Sequence, residues 1–125
     1  MIVLLDGHAL LWALSGSSEL RPDARSALED PGNEVLVSAG TVWEIEIKRV
    51  AGRLEAPANL LRAIETTGFM TLPITAADAE RAARLPGLHR DPFDRMLVAQ
   101  AHRLDAFVMS RDSVIAAYDV HVLQA

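Results

Sequence analysis

Short apolar runs alternate along the chain with longer segments whose apolar residues recur at helical spacing. The runs are too short for helices and are bounded by turn residues, which is typical of strands buried on both faces. They predict strands at 2–5, 35–37, 69–72, 106–109 and 120–123. The segments between them predict helices at 9–14, 22–28, 41–50, 60–64, 75–85 and 92–104, with one further short helix after Asp112.

This alternation of strand and helix predicts an α/β fold. We expect a three-layer sandwich in which helices flank a central parallel sheet of about four to five strands. No repeat, linker or low-complexity segment interrupts the pattern, so residues 1–125 are interpreted as a single domain.

Composition narrows the possible chemistry. The chain has 125 residues, half of them hydrophobic, and no cysteine. Disulfides, thiolate metal sites and cysteine nucleophiles are therefore excluded, and a bound metal would have oxygen or imidazole ligands, which favours Mg²⁺ or Mn²⁺ over zinc. Because no basic segment precedes the opening apolar run and Asp6 interrupts it, we expect a soluble, cytoplasmic protein.

The net charge of −5 argues against a globally basic nucleic-acid binder. It is compatible with an enzyme that meets phosphates through metal ions. The candidate phosphate contacts are the basic residues close to the acidic segments. These are Lys48, Arg49, Arg53, Arg90 and Arg95.

Four segments place a carboxylate at a predicted junction between strand and helix. They are LLDGH, SAGTVWEI, HRDPFDRM and VMSRD, with Asp6, Glu44, Asp94 and Asp112. In a parallel sheet such junctions line one edge, so we expect the four side chains to converge. Two carboxylates about 6 Å apart repel by about 3 kcal/mol at an effective dielectric of about 20. A divalent cation, or protonation with raised pKa values, would relieve this repulsion.

Each acid also has an ordinary explanation. Asp6 suits a helix N-cap, and Glu44 completes a capping-box pattern with Thr41 and stands four residues before Lys48. Asp112 could start the short helix. Capping explains Asp94 less well, because Asp91 already suits the cap of that helix.

Other candidate chemistry is weaker. No glycine-rich phosphate loop or serine nucleophile elbow is present. The four histidines lack zinc-site spacing and are interpreted as structural, and Trp12 and Trp43 as core residues.

Taken together, LLDGHALLWAL, SAGTVWEIEIKRVAGRLE, LHRDPFDRMLVAQA and VMSRD resemble the PIN-domain ribonucleases of the VapC toxin type. The resemblance implies a ribonuclease that hydrolyses phosphodiester bonds with water activated by Mg²⁺ or Mn²⁺. It implies catalytic and metal-binding roles for Asp6, Glu44, Asp94 and Asp112, and an orienting role for Ser110. It further implies an antitoxin partner and a homodimer.

Gly7 departs from the family pattern, which commonly has a hydroxyl residue there. A PIN-type interaction module that binds metal without catalysis is therefore kept as the alternative. The antitoxin is expected on an apolar face that includes Leu11, Leu14, Trp43 and Ile47. A receiver domain is disfavoured because the first strand offers one acid only, and a haloacid dehalogenase-type phosphatase because the chain lacks a DxD there.

Overall fold

The computed structural model describes all 125 residues. Its five strands are β1 (Ile2–Leu5), β2 (Glu34–Ser38), β3 (Met70–Leu72), β4 (Phe107–Ser110) and β5 (His121–Gln124). Its six α-helices are α1 (Gly7–Ser15), α2 (Pro22–Glu29), α3 (Ala39–Val50), α4 (Leu60–Thr67), α5 (Ala76–Arg84) and α6 (Pro92–Leu104). The short helix predicted after Asp112 is a 3₁₀ turn at Ile115–Ala117. The structure contains no helix with the length and apolar character needed to cross a membrane.

The strands form one parallel sheet in the order β3-β2-β1-β4-β5. The predicted fold class is therefore confirmed. The chain winds outward from β1 in one direction and then returns to place β4 on its other side. This reversal creates a crevice outside the carboxyl ends of β1 and β4, which is where open α/β sheets bind ligands.

Alternate residues of β1 supply the two faces of the core. Val3 and Leu5 lie in a cluster with residues of α1 to α4, whereas Leu4 packs in a second cluster with α6. All three are fully buried. Because successive strand side chains point to opposite faces, this arrangement requires a helix layer on each side of the sheet.

Helix α3 begins earlier than predicted. Ser38 is its N-cap, and the Ser38 hydroxyl accepts a hydrogen bond from the Gly40 N–H at 3.0 Å. Thr41 and Glu44 therefore lie inside the helix, and the capping-box explanation for Glu44 is wrong. The ion pair between Glu44 and Lys48 is present, at 3.1 Å.

The two tryptophans differ in their surroundings. Trp12 is half-buried and packs against the core beneath α1. Trp43 is 64% exposed and meets only the edge of Phe93 in an aromatic contact, so its prediction as a core residue is wrong. Ile47 and Val50 are also exposed on the same helix. Trp43, Ile47 and Val50 are called the α3 stripe below.

A buried ion pair holds α5 against α6. The Asp78 side chain is 1% exposed and accepts two hydrogen bonds from the Arg103 guanidinium, at 2.7 and 2.9 Å. Asp78 also completes a capping box with Thr75. Burial alone would raise the pKa of Asp78, but Arg103 and the Thr75 donors outweigh it and hold that pKa below its usual value.

We predict that Asp78→Ala lowers the free energy of unfolding by about 2 to 3 kcal/mol, because it removes a cap and leaves Arg103 without its partner. Because the pKa of Asp78 is lower in the folded protein than in the unfolded chain, its ionised carboxylate stabilises the fold. This stabilisation is complete above the pKa of an unfolded aspartate. It is lost as the pH falls through the pKa that Asp78 has in the folded protein. Urea unfolding of the unmodified protein and of Asp78→Ala between neutral and acidic pH measures the difference in their free energies of unfolding. This difference should become small in acid.

Glu80→Ala is the matched control, because Glu80 forms an exposed ion pair with Arg84 on the same helix. We expect a loss below about 0.5 kcal/mol there. Equal losses of unfolding free energy in the two variants would contradict the stabilising role of the Asp78 carboxylate. A loss for Asp78→Ala that does not depend on pH would also contradict it.

Candidate active site

Asp6 lies directly after β1 and is held from two sides. Its Oδ1 accepts the Ala9 N–H at 2.8 Å, which makes it the predicted N-cap of α1. Its Oδ2 accepts the Ser110 hydroxyl at 2.6 Å. Burial raises the pKa of Asp6, Asp112 adds to the rise, and the hydrogen bonds from Ser110 and Ala9 oppose it. Capping and a place in the site are therefore compatible for this residue.

Ser110 links Asp6 to Asp112. It is the last residue of β4 and is fully buried, and while its hydroxyl donates to Asp6 its oxygen accepts the Asp112 N–H at 3.0 Å. The Asp112 carboxylate also accepts the Val114 N–H at 2.9 Å through Oδ1. Oδ2 of Asp112 is left facing the crevice. Ser110 therefore contacts both acids, and its orienting role stays a prediction from the resemblance.

Asp94 lies in the first turn of α6. Asp91 caps that helix by accepting the Phe93 and Asp94 N–H groups, as predicted, so no cap is required of Asp94. Burial and the neighbouring Asp91 raise the pKa of Asp94 to about 7, with His89 acting in the opposite direction. A half-buried acid with no helix-capping task and a strongly raised pKa is typical of a functional position.

His89 joins two of the acids and was missed by sequence reasoning, which interpreted it as structural. Its Nε2 lies 2.8 Å from Asp94 Oδ2 and 2.8 Å from Asp112 Oδ2. Burial would lower the pKa of His89, but the hydrogen bond to Asp112 and the charges of both carboxylates raise it. The only available signal was its position in the loop just before the helix that carries Asp94.

Glu44 approaches the site across Gly7. A Cβ at position 7 would lie 3.2 Å from Glu44 Oε1, so a larger residue there would crowd the carboxylate. The Lys48 ammonium holds the other oxygen, Oε2, at 3.1 Å. Gly7, where the family commonly has a hydroxyl residue, therefore lies beside the Glu44 carboxylate, which occupies the space that a larger side chain would need.

All four predicted acids line one cavity of about 220 Å³, together with His89 and Lys48. The route by which they converge differs from the expectation in two cases. Asp6 and Asp112 do follow parallel strands. Asp94 follows a loop that leaves α5, and Glu44 lies in the second turn of α3, so neither stands at a junction between strand and helix.

The basic candidates divide into two groups. Arg95 donates to Tyr118 and to a set of backbone oxygens and acts as a clamp between α5 and α6. The oxygens are those of Ala82, Ala83, Leu85, Pro86 and His89. Arg49 is engaged by Glu46 and by the Ala56 and Pro57 carbonyls. Arg53 and Arg90 are exposed and their side chains have no hydrogen-bond partner in the protein. Arg53 and Arg90 therefore remain the unpaired candidates for phosphate contacts. Lys48 lines the acidic cavity but is paired with Glu44.

A parallel α/β sandwich with acids gathered at the carboxyl edge of its sheet is the architecture of PIN-like domains. The PIN domain family matches residues 3–120, and the chain belongs to this family. No curated protein sequence matches the chain.

Solved structures share the fold over nearly the whole chain. A chain of VapBC2 from Rickettsia felis, bound to a promoter DNA fragment, superposes with a TM-score of 0.69 at 10% identity, covering 98% of each chain. DNA-bound VapBC from Salmonella typhimurium gives 0.69 at 14% identity, covering 98% of this chain and 97% of that one. A toxin-antitoxin complex from Klebsiella pneumoniae gives 0.65 at 21% identity, covering 98% and 96%. These similarities establish the fold.

We predict that His89→Ala destabilises the metal-free protein by about 2 kcal/mol, because Asp94 and Asp112 lose a shared hydrogen-bond partner. In an Asp94→Asn/Asp112→Asn background the same change should cost much less, since the two charges that hold His89 are absent. Urea unfolding in EDTA at neutral pH measures both differences.

His102→Ala is the control, because His102 lies on α6 and contacts only the Asp119 carbonyl through its ring. His102→Ala should lower the free energy of unfolding by the same amount in both backgrounds. If His89→Ala also lowered it by the same amount in both, the role of His89 would be packing and not the joining of two carboxylates.

Proposed function

We propose that this PIN domain is a metal-dependent endoribonuclease and the toxin of a toxin-antitoxin pair. The observation that carries the proposal is the convergence of Asp6, Glu44, Asp94 and Asp112 in one cavity at the switch point of the sheet. Helix capping accounts for Asp6 in part, but it does not account for Asp94 or for Oδ2 of Asp112, which both contact His89.

The donor set fits Mg²⁺ or Mn²⁺. Asp94 and Asp112 each place an oxygen 2.8 Å from the same His89 nitrogen, so both carboxylates already converge on one point. Asp6 retains lone pairs beyond those used by Ala9 and Ser110. Hard oxygen donors of this kind suit Mg²⁺ and Mn²⁺. Asp6, Asp94 and Asp112 would hold the ion, with Glu44 at the margin of the site.

A divalent cation bound there supplies the positive charge that activates a water molecule and offsets the charge of the scissile phosphate. The chain's own residues position the reactants. Ser110 hydrogen-bonds the Asp6 carboxylate and keeps it oriented. Lys48 fixes the direction of Glu44, which would orient the attacking water. Hydrolysis of this type leaves a 5′-phosphate and a 3′-hydroxyl.

An antitoxin protein is the proposed partner. Two features support it: the matched structures are toxin-antitoxin complexes, and the α3 stripe presents three large apolar side chains to solvent close to the acids. Leu14 packs against the core and Leu11 lines the acidic cavity, so Trp43 and Ile47 are the members of the predicted surface that stay exposed. Homodimer formation stays a prediction of family membership.

We predict that Asp94→Asn lowers RNA cleavage in Mg²⁺ or Mn²⁺ by about 1,000-fold, because a lost ligand removes several kcal/mol of charge stabilisation. The assay is cleavage of a mixed RNA pool by purified protein, with EDTA as a second means of abolishing activity. Asp105→Asn is the matched control at the opposite end of the same helix. Its left-handed backbone conformation, with φ of 52°, accepts asparagine.

Cleavage that survived both EDTA and Asp94→Asn would rule out the metal-dependent mechanism. If the unmodified protein added no cuts beyond those of Asp94→Asn, the protein would instead be a PIN-type interaction module that binds metal and a protein partner.

The toxin role predicts growth arrest when the chain is expressed. The arrest should disappear with Asp94→Asn, and co-expression of the neighbouring upstream open reading frame should relieve it. Trp43→Ala should weaken the relief while leaving cleavage by the purified protein intact, because Trp43 lies on the exposed stripe and outside the cavity. Arrest of equal strength with Asp94→Asn would separate toxicity from nuclease activity.

A further inference from the structure

Three planar side chains form a stack beside the acidic cavity. His8 and Trp12 lie one turn apart on α1, with ring centroids 5.6 Å apart and planes inclined by 17°. The guanidinium carbon of Arg111 lies 4.3 Å from the centre of the Trp12 ring. Neither the capping of α1 nor the metal site described above uses any of these groups.

The inner members of the stack are held firmly. The Arg111 guanidinium donates to the Glu19 carboxylate at 3.2 Å, to the Glu19 carbonyl, and to the Ala125 backbone oxygen at 3.2 and 3.3 Å. Trp12 packs against the core. The Arg111 guanidinium over the indole makes a cation–π contact that helps to fix the Trp12 ring.

His8 is the open end of the stack. It is exposed, its ring nitrogens have no hydrogen-bond partner in the protein, and Trp12 is the only ring it stacks on. The opposite face of the imidazole is therefore available to a ligand. Because its orientation is already set by Trp12, a flat ligand would bind there without the entropy cost of ordering an exposed side chain.

The location of the stack points to its ligand. His8 follows Asp6 by two residues, and both His8 and Arg111 line the cavity that contains the four acids. Bases of single-stranded RNA bind proteins by stacking on histidine, tryptophan and arginine planes. The α3 stripe, by contrast, is purely apolar and lies outside this cavity, so the two surfaces differ in chemistry.

We propose that the stack of His8, Trp12 and Arg111 binds the base of the nucleotide next to the scissile phosphate, with the base on the open face of His8. This inference rests on the proposed ribonuclease function and adds to it the residues that would hold a base. A base paired within a duplex is covered on both faces, so the stack can accept only an unpaired nucleotide. Stacking accepts any base, and the site therefore selects for an unpaired nucleotide more than for a sequence.

The test uses single-stranded RNA oligonucleotides with 2-aminopurine at successive positions, bound to the Asp94→Asn protein in Mg²⁺. Stacking on an aromatic ring quenches 2-aminopurine fluorescence. We expect quenching at one position, and His8→Ala in the same background should abolish it and weaken binding by about tenfold. His8→Phe should retain the quenching, because phenylalanine keeps the flat ring and removes the nitrogens.

His121→Ala is the matched control. His121 is also an exposed histidine stacked on an aromatic ring, Phe107, but it does not line the acidic cavity. Its removal should change neither quenching nor affinity. Cleavage assays with Asp94 intact give a second test. The unmodified protein should cut the RNA faster than the His8→Ala variant does. An abasic nucleotide at the quenched position should make the two cleavage rates equal, because the base that the imidazole contacts is then absent.

The outcomes separate this inference from the proposed function. Quenching that depends on His8, in a protein that cuts no RNA, would support the stacking site and overturn the nuclease. Quenching and affinity that are unchanged by His8→Ala would overturn the stacking site. A His8→Ala protein that binds RNA normally, but whose growth arrest the antitoxin no longer relieves, would also overturn the stacking site. The stack would then contact the antitoxin and not a base.

Discussion

The hydrogen bond from the Ser110 hydroxyl to the Asp6 carboxylate joins residues that are 104 positions apart and connects the carboxyl ends of the two central strands. It depends on β4 lying next to β1, and that pairing is the point where the sheet reverses direction. The same serine accepts the Asp112 N–H, so the direction of a second acid follows from it. A shift of either strand by one residue would turn these side chains to the other face of the sheet.

The acids gathered at this edge repel one another, and the surrounding residues show how the fold tolerates it. Burial and Asp91 raise the pKa of Asp94 to about 7, and Asp94 and Asp112 share His89. On the other side, Lys48 neutralises Glu44. One basic side chain on each flank thus pairs with the acids, and the carboxylate oxygens keep lone pairs that a divalent cation would need.

The sequence could predict the sheet and the helices because their periodicity is local. It could predict Asp6 and Asp91 as caps because capping involves neighbours in the chain. It placed the start of α3 too late, since Ser38 is at once the last residue of a strand and a cap. The roles of His89 and Arg95 depend on how the loop between α5 and α6 folds back over the sheet. No spacing in the sequence records that fold, so His89 was interpreted as structural and Arg95 as a candidate phosphate contact.

The distribution of positive charge bears on how an acidic protein would hold RNA. Of the basic residues near the site, Arg95, Arg49 and Arg111 are committed to carbonyl and carboxylate oxygens of the protein itself. Lys48 is paired with Glu44, and only Arg53 and Arg90 are both exposed and unpaired. With a net charge of −5, counterion release can contribute little to affinity. Binding would then depend on contacts at the site itself, namely the metal-held phosphate and a base stacked on His8. This makes recognition sensitive to whether a nucleotide is unpaired, and less sensitive to salt than is usual for nucleic-acid binding.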